Sequence, residues 1–280
     1  MNISKTYYKI KSKIGREIIK RSNNPRPDSY PFISGDGFRK IADFIYDETG
    51  KFNPENILEG QIIFVKSDLL KEFFNEIHPK INNRYKLISH NSDKNITEEY
   101  LKYIDEKIIH WFVQNLMFEH KKVSVIPIGL ENLHIYNNGI PERFKQMINR
   151  KINKKEKILF GFNVLTNKDK RSKALNELRV NKLAEEIQKP LNNKEYLGLL
   201  NSYKYVASPP GNGIDCHRTW EAIILGVIPV CLNNKNSELL KNAGAPILIT
   251  DTFEDFNLKK FEVENKITRF DYWKKIINNK

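Results

Sequence analysis

Cysteine is almost missing from this 280-residue chain: Cys216 and Cys231 are the two present, and they are not in Cys-x-x-Cys spacing. Two thiols cannot staple a fold of this size, so a disulfide-built secreted scaffold is excluded and a reducing compartment is the simpler setting. Long apolar runs are missing as well. None approaches the ~18 to 20 uncharged residues that a membrane-spanning helix needs. The N-terminus alternates lysine with isoleucine where a secretory leader would build an apolar block. Six histidines occur without the His-Glu-x-x-His spacing of a zinc hydrolase. Neither the Gly-x-x-x-x-Gly-Lys-Ser/Thr phosphate loop nor the Gly-x-Gly-x-x-Gly dinucleotide fingerprint is present.

What is there suits a folded chain. A hydrophobic share of 40% with 11% aromatics is too much core material for a disordered protein. The length allows one large domain or two small ones. Lysine and arginine outnumber aspartate and glutamate by 47 to 34, a net charge of +13. That balance fits anionic partners: nucleotides, phosphorylated lipids, nucleic acid or an acidic membrane face. The same excess follows without any ligand from a lysine-, isoleucine- and asparagine-rich composition. No recognised nucleic-acid motif accompanies it.

The first twenty residues are basic and amphipathic. Ile3, Tyr7, Ile10, Ile14 and Ile18 recur at helical spacing, with Lys5, Lys9, Lys13, Arg16 and Lys20 between them. Such a helix lies on an anionic membrane surface or packs on the domain as a terminal helix. Asn23-Asn24-Pro25-Arg26-Pro27 then breaks it. From there strand and helix signals alternate: strand 30–34, a tight turn at Gly35-Asp36-Gly37, helix 38–48, strand 61–66, helix 67–77 capped by Ser67, and strands 85–89 and 123–128. After a polar stretch over 137–157 the alternation resumes. Strand 158–162, helix 172–188, strand 204–207, helix 215–225 capped by Asp215, strands 227–232 and 246–250, and a terminal helix over 269–280 follow. The expected division is an amphipathic helix over 1–22, an N-terminal domain over 23–140, a C-terminal domain over 141–265 and a final helix over 266–280. This is the order of an α/β protein with two Rossmann-like, doubly wound parallel-sheet domains facing a central cleft.

The chemistry concentrates in Ser208-Pro209-Pro210-Gly211-Asn212-Gly213-Ile214-Asp215-Cys216-His217-Arg218-Thr219-Trp220-Glu221-Ala222. The segment follows a strand and opens a helix. Its two glycines let backbone amides gather at the positive end of the helix dipole, a place for a phosphate or diphosphate. His217, Arg218 and Glu221 stand three or four residues apart and share a face. Trp220, Ile223 and Ile224 take the opposite one. The polar face offers a cation for phosphate and a carboxylate for paired sugar hydroxyls. A solvated Arg218–Glu221 pair is the plainer alternative.

Residues 208–230 resemble the C-terminal signature of exostosin-like glycosyltransferases: a proline-glycine loop, an arginine, an acidic-alanine pair (Glu221-Ala222) and a Gly-x-Ile-Pro-Val strand (Gly226 to Val230). Phe160-Gly161-Phe162 with Arg171 is similar to that family's strand-then-arginine element. The resemblance implies a GT-B enzyme that uses a nucleotide sugar without a bound metal or other cofactor. It implies that Glu221 binds the donor ribose, and that Arg218 with Pro210, Gly211, Asn212 and Gly213 holds the diphosphate. Asp215 and His217 belong to the same donor site, and Arg171 steadies the leaving nucleotide. No Asp-x-Asp motif of the metal-dependent GT-A class occurs. The match is specific over about 200–232, weaker over 158–175 and loose across the N-terminal half. It departs from the family in Cys216, in the short chain and in the missing membrane anchor.

The N-terminal half is then expected to hold the acceptor, a glycan or lipid-linked glycan, beyond the carboxyl ends of its strands. An inverting transfer needs a base near the acceptor hydroxyl. Asp36, Asp93, His90 and Glu131 are the candidates, with Asp36 and Asp93 preferred. Trp111 belongs to the core or the cleft, and Gln114-Asn115 could face the cleft. The expected product is a surface polysaccharide or other glycan, made in the cytoplasm or peripherally at the inner membrane face. A non-catalytic module that binds nucleotide or anionic glycan is the main rival.

Overall fold

The computed structural model describes residues 26–50, 52–135, 138–150, 152–256, 258–259 and 262–280. The amphipathic segment expected over 1–22 lies outside them. Two five-stranded sheets form, parallel throughout. The first contains β1 (Phe44–Tyr46), β2 (Ile62–Lys66), β3 (Tyr85–His90), β4 (Ile108–Val113) and β5 (Val123–Val125), side by side in chain order. The second contains β6 (Lys155–Phe160), β7 (Ala184–Glu186), β8 (Tyr203–Ala207), β9 (Ile228–Leu232) and β10 (Leu248–Thr250), in the order β10-β9-β8-β6-β7. The helices are α1 (Gly35–Ile41), α2 (Leu70–Glu72), α3 (Pro141–Ile148), α4 (Lys168–Val180), α5 (Asn193–Asn201), α6 (His217–Ile224), α7 (Lys235–Asn242) and α8 (Phe270–Asn279). The architecture is GT-B-like: two Rossmann-like α/β domains about a cleft, the second doubly wound as expected and the first not, since its strands run in chain order without a reversal. Among the described residues no helix is long and apolar enough to cross a membrane.

Parallel strands are covered on both faces, so their sequences read as nearly unbroken apolar runs. Ile63, Phe64 and Val65 of β2 and Trp111, Phe112 and Val113 of β4 are fully buried accordingly. In β6 the strand period divides the core. Leu159 faces Leu197 and Leu200 of α5 and Ala222 of α6, while Ile158 and Phe160 face Ala174 and Leu178 of α4. Each of these Leu, Ile and Phe side chains contributes about 1.5 to 3 kcal/mol by leaving water. Trp220 and Ile223 on the other side of α6 join the N-terminal core, so this helix is packed by both domains. The last helix, α8, also returns to the N-terminal domain. Trp273 meets Phe38 edge-on at 5.8 Å, and Lys86 Nζ donates to the terminal carbonyls of Ile277 and Asn278 at 2.9 Å each.

Local structure departs from the sequence reading at several places. Gly35-Asp36-Gly37 opens α1 and is not a turn, because the Ser34 hydroxyl accepts from the Gly37 N–H at 3.1 Å and caps the helix. That helix ends at Ile41, and the expected continuation to 48 is instead β1, tied to β2 by the Asp43 carboxylate accepting from Ile62 N–H. Phe32 and Ser34 make isolated bridges in place of a strand. Ser67 does not cap the next helical stretch; its buried hydroxyl has no partner among the described residues, and the stretch passes through 3₁₀, α and π turns. The helix expected over 172–188 is α4, capped by the Asn167 side chain and finished at Val180. Asn181 then turns the chain into the short strand β7.

Candidate functional site

The order of the second sheet reverses between β6 and β8, and ligands of open α/β sheets bind outside the carboxyl ends of the strands at such a point. Both strands deliver the segment that the sequence singled out. Beyond β6 come Gly161, Phe162 and Asn163; beyond β8 come Ser208 to Gly213 and then α6. They surround a cavity of about 310 Å³ lined by Thr166, Arg171, Tyr196, the 211–213 loop and Asp215 to Arg218 with Glu221.

Two guanidinium groups define this cavity. Arg218 Nη2 donates to the Gly161 carbonyl at 2.6 Å and its Nε to the Tyr196 hydroxyl at 3.3 Å. Arg171 holds the loop: Nε donates to the Pro210 carbonyl at 2.9 Å, Nη2 to the Pro209 carbonyl at 3.3 Å, and Nη1 to Asn163 O and Thr166 Oγ1 at 3.0 and 2.6 Å. The Phe162 ring lies beside both, 5.4 Å from Arg171 and 5.7 Å from Arg218. Among the described residues neither guanidinium has a carboxylate within salt-bridge distance. Arg171 is nonetheless only 9% exposed. Buried charge without a counter-ion is costly, so the arrangement calls for an anion.

One turn along α6, Glu221 faces the same cavity. It is 8% exposed, and its carboxyl takes no hydrogen bond from the described residues. Burial pushes its pKa up to about 7, against the opposing pull of Arg218. The solvated Arg218–Glu221 pair of the plainer sequence reading is not what forms. Burial also pushes the Tyr196 hydroxyl up to about 12, so it remains a neutral prop for Arg218.

The glycines act by allowing close approach. A Cβ on Gly211 would stand 2.9 Å from Arg171 Nη2, and one on Gly213 would stand 3.1 Å from Asn115 Nδ2. The Gly211 N–H is committed to the Gly213 carbonyl at 3.0 Å, so that amide is not offered to a ligand. Asn212 is exposed at the loop tip, and Pro210 is buried beneath it. Asp215 does not cap α6, which starts at His217 with Cys216 in the cap position. Its buried carboxylate instead accepts from Trp220 Nε1 at 2.8 and 3.0 Å, from Ile128 N–H at 2.8 Å and from Cys216 N–H at 2.8 Å. Those bonds join α6 to the N-terminal domain, although burial still raises this carboxyl to about 6.

A second cavity of about 400 Å³ opens on the N-terminal side, beyond the ends of β2, β3 and β4. Its wall is polar and balanced in charge: Arg26, Lys66 and Lys94 against Glu48, Asp68 and Asp93, with Asn91, Ser92, Gln114, Asn132 and His134. Its cations are engaged. Arg26 pairs with Asp36, Asp47 and Glu48, Lys66 with Glu48 and Asp68, and Lys94 donates to the Tyr100 hydroxyl. Gln114 is 2% exposed, and its Oε1 has no partner among the described residues. Trp111 is core, its indole N–H on Ser89 Oγ.

The base candidates separate by environment. Asp36 is buried behind this wall and accepts from Arg26, Asn91 and His134. His90 has both ring nitrogens engaged, Nε2 with the Pro127 carbonyl and Nδ1 with the Asn91 N–H, and burial lowers it to about 4. Glu131 lines neither cavity; burial raises it to about 7, with Glu221 adding to the rise. Asp93 is exposed and lines both cavities. Residues that the sequence reading missed are Tyr196 and His134. The first sits on α5, whose Asn192–Glu195 capping box was a readable signal. The second is a lone histidine in a polar loop and gave none. Among the described residues no group of three or more His, Cys, Asp or Glu side chains converges as a metal site would.

Fold and site thus define a two-domain α/β protein with an anion-ready cavity on one side of its cleft and a polar cavity on the other. No protein-family model matches the chain, and no curated protein does. Among solved structures it is similar to one described as trehalose-6-phosphate from E. coli bound with UDP-2-fluoro glucose. That likeness has a TM-score of 0.41 and 11% identity, over 80% of this chain and 70% of the other. A likeness so distant carries no weight for the site.

Proposed function

We propose that the chain is a glycosyltransferase, related to the exostosin-like enzymes, that moves a sugar from a nucleoside-diphosphate donor to a hydroxyl of a glycan. One observation carries this reading. Arg171, buried, and Arg218, half-buried, have no counter-ion among the described residues, and Glu221, buried without a hydrogen bond from them, faces the same cavity at the switch point of a parallel sheet. A diphosphate supplies the missing negative charge, and the two hydroxyls of a ribose supply the donors that Glu221 lacks. The residue pattern over 208–230 points the same way. The N-terminal cavity, with its balanced charge and many hydrogen-bonding groups, suits an uncharged polyhydroxyl acceptor.

In the transfer, Arg218 and the first turn of α6 stabilise charge developing on the departing diphosphate. Arg171 acts mainly through the loop, holding the carbonyls of Pro209 and Pro210 so that Gly211 and Cys216 keep their places. Titration calorimetry with UDP, GDP and their sugars tests the reading. A nucleoside diphosphate should bind wild type and bind Glu221→Ala at least ten-fold more weakly. Equal affinity for the two proteins, or no binding, would refute it. Tight binding without sugar transfer to a broad panel of saccharides would favour a non-catalytic binding module.

A further inference from the structure

We propose that His217 is the general base of the transfer, taking the acceptor hydroxyl's proton on Nε2. This rests on the glycosyltransferase reading and adds to it the residue that the sequence left open. The two cavities share three lining residues: Asp93, Ile128 and His217. A group-transfer reaction needs the attacking and attacked atoms about 3 to 3.5 Å apart, so it must occur where the donor and acceptor spaces meet. Ile128 has no proton to exchange.

The tautomer of His217 is set by its surroundings. Nδ1 lies 2.8 Å from the Gly129 carbonyl, which can only accept, so Nδ1 carries the hydrogen and Nε2 the lone pair. That carbonyl is itself fixed. Gly129 has φ of 68°, and a Cβ there would stand 2.4 Å from the Ile33 carbonyl, which receives the Leu130 N–H at 2.9 Å. Nε2 has no partner among the described residues. Burial holds the imidazole below its ordinary pKa, and a place in the first turn of a helix also favours the neutral ring. Asp93, across the junction, pulls the other way and stabilises the imidazolium once it forms. The other titratable groups around it are His90 at the end of β3, neutral because burial lowers it to about 4, Arg171 on α4, and Asp215, Arg218 and Glu221 of its own segment.

The step balances. The acceptor O–H bond breaks and its proton moves to Nε2. The oxygen forms a bond to the anomeric carbon as the bond from that carbon to the diphosphate oxygen breaks. Its electron pair leaves with the nucleoside diphosphate, the configuration inverts, and the imidazolium returns its proton to water.

The test is the pH dependence of sugar transfer from the sugar nucleotide that binds to a free saccharide, in wild type and in two variants. His217→Asn keeps a donor for the Gly129 carbonyl and loses Nε2. Its kcat should fall about 10²- to 10⁴-fold. Its donor dissociation constant should stay within about three-fold, and the acid limb of kcat/KM should vanish. Asp93→Asn should keep that limb but move it to lower pH. In wild type the temperature dependence of the limb should be the steep one of an imidazole, a reading that needs no variant to fold. A shallow, carboxylate-like dependence overturns the assignment. So does transfer by His217→Asn near the wild-type rate, or loss of its donor binding along with its turnover. Failure of wild type to bind any nucleotide sugar would instead remove the glycosyltransferase reading underneath.

Discussion

Replacing Glu221 by glutamine removes a buried charge and keeps the side chain's shape, so its effects separate by sign. Folding moves this carboxyl from an ordinary 4.5 up to about 7. At 1.36 kcal/mol per unit, ionising it in the ligand-free protein costs roughly 3 kcal/mol of stability. The native state holds its proton more tightly than the unfolded chain, so stability falls as pH rises from about 4.5 to about 7, and the full loss stands above that. Glu221 also helps to raise Glu131, so the variant lets Glu131 ionise at lower pH. Without ligand, wild type and Glu221→Gln should therefore melt together near pH 4.5. Above pH 7 the variant should melt higher, by about 5 °C. A nucleoside diphosphate should reverse the order of benefit. Losing a charge-assisted grip on the ribose weakens binding by about 1.5 to 3 kcal/mol, so UDP or GDP should raise the variant's melting temperature less than the wild type's. Thermal denaturation across pH, with and without 1 mM-scale nucleotide, reads both effects. Parallel pH profiles for the two proteins, or equal nucleotide shifts, would refute the reasoning.

Other substitutions probe the rest of the cavity. Arg218→Ala should lower kcat about 10²- to 10³-fold, measured under saturating donor, because it removes a fixed charge from the leaving diphosphate. Arg171→Lys should weaken donor binding and cost about 1 to 3 kcal/mol of stability in denaturant titrations, since a single ammonium cannot serve the four oxygen acceptors that the guanidinium reaches. Gly211→Ala should give a folded protein with reduced donor affinity by calorimetry, because its Cβ would stand 2.9 Å from Arg171 Nη2 and displace the guanidinium.

Five strands were legible: β2, β3, β6, β8 and β9 are apolar runs that the sequence marks within a few residues, whereas β4, as long and as buried, is not among the strands read from the sequence. Short strands such as β7, with its Ala-Glu-Glu sequence, carry no apolar signal. Elsewhere side-chain hydrogen bonds decided the local structure. Ser34 made a helix of what reads as a glycine turn, and the Trp220 indole drew Asp215 away from the cap position. In the site, helical spacing foretold that His217, Arg218 and Glu221 share a face, and the three line one cavity. It did not tell that α6 would be packed by both domains, because contacts between Asp215 and Ile128 or between His217 and Gly129 span some ninety residues of sequence. The junction of the two cavities is a product of that packing, so His217 reads from sequence as one more donor residue.

On the proposed function, the carboxyl ends of β6 and β8, with α6, hold a nucleoside diphosphate. A crystal structure with UDP or GDP bound tests it most directly. The diphosphate should lie within hydrogen-bond distance of the Arg218 guanidinium, with the ribose hydroxyls on Glu221. A nucleotide seated away from α6, with Glu221 still unpaired, would contradict it.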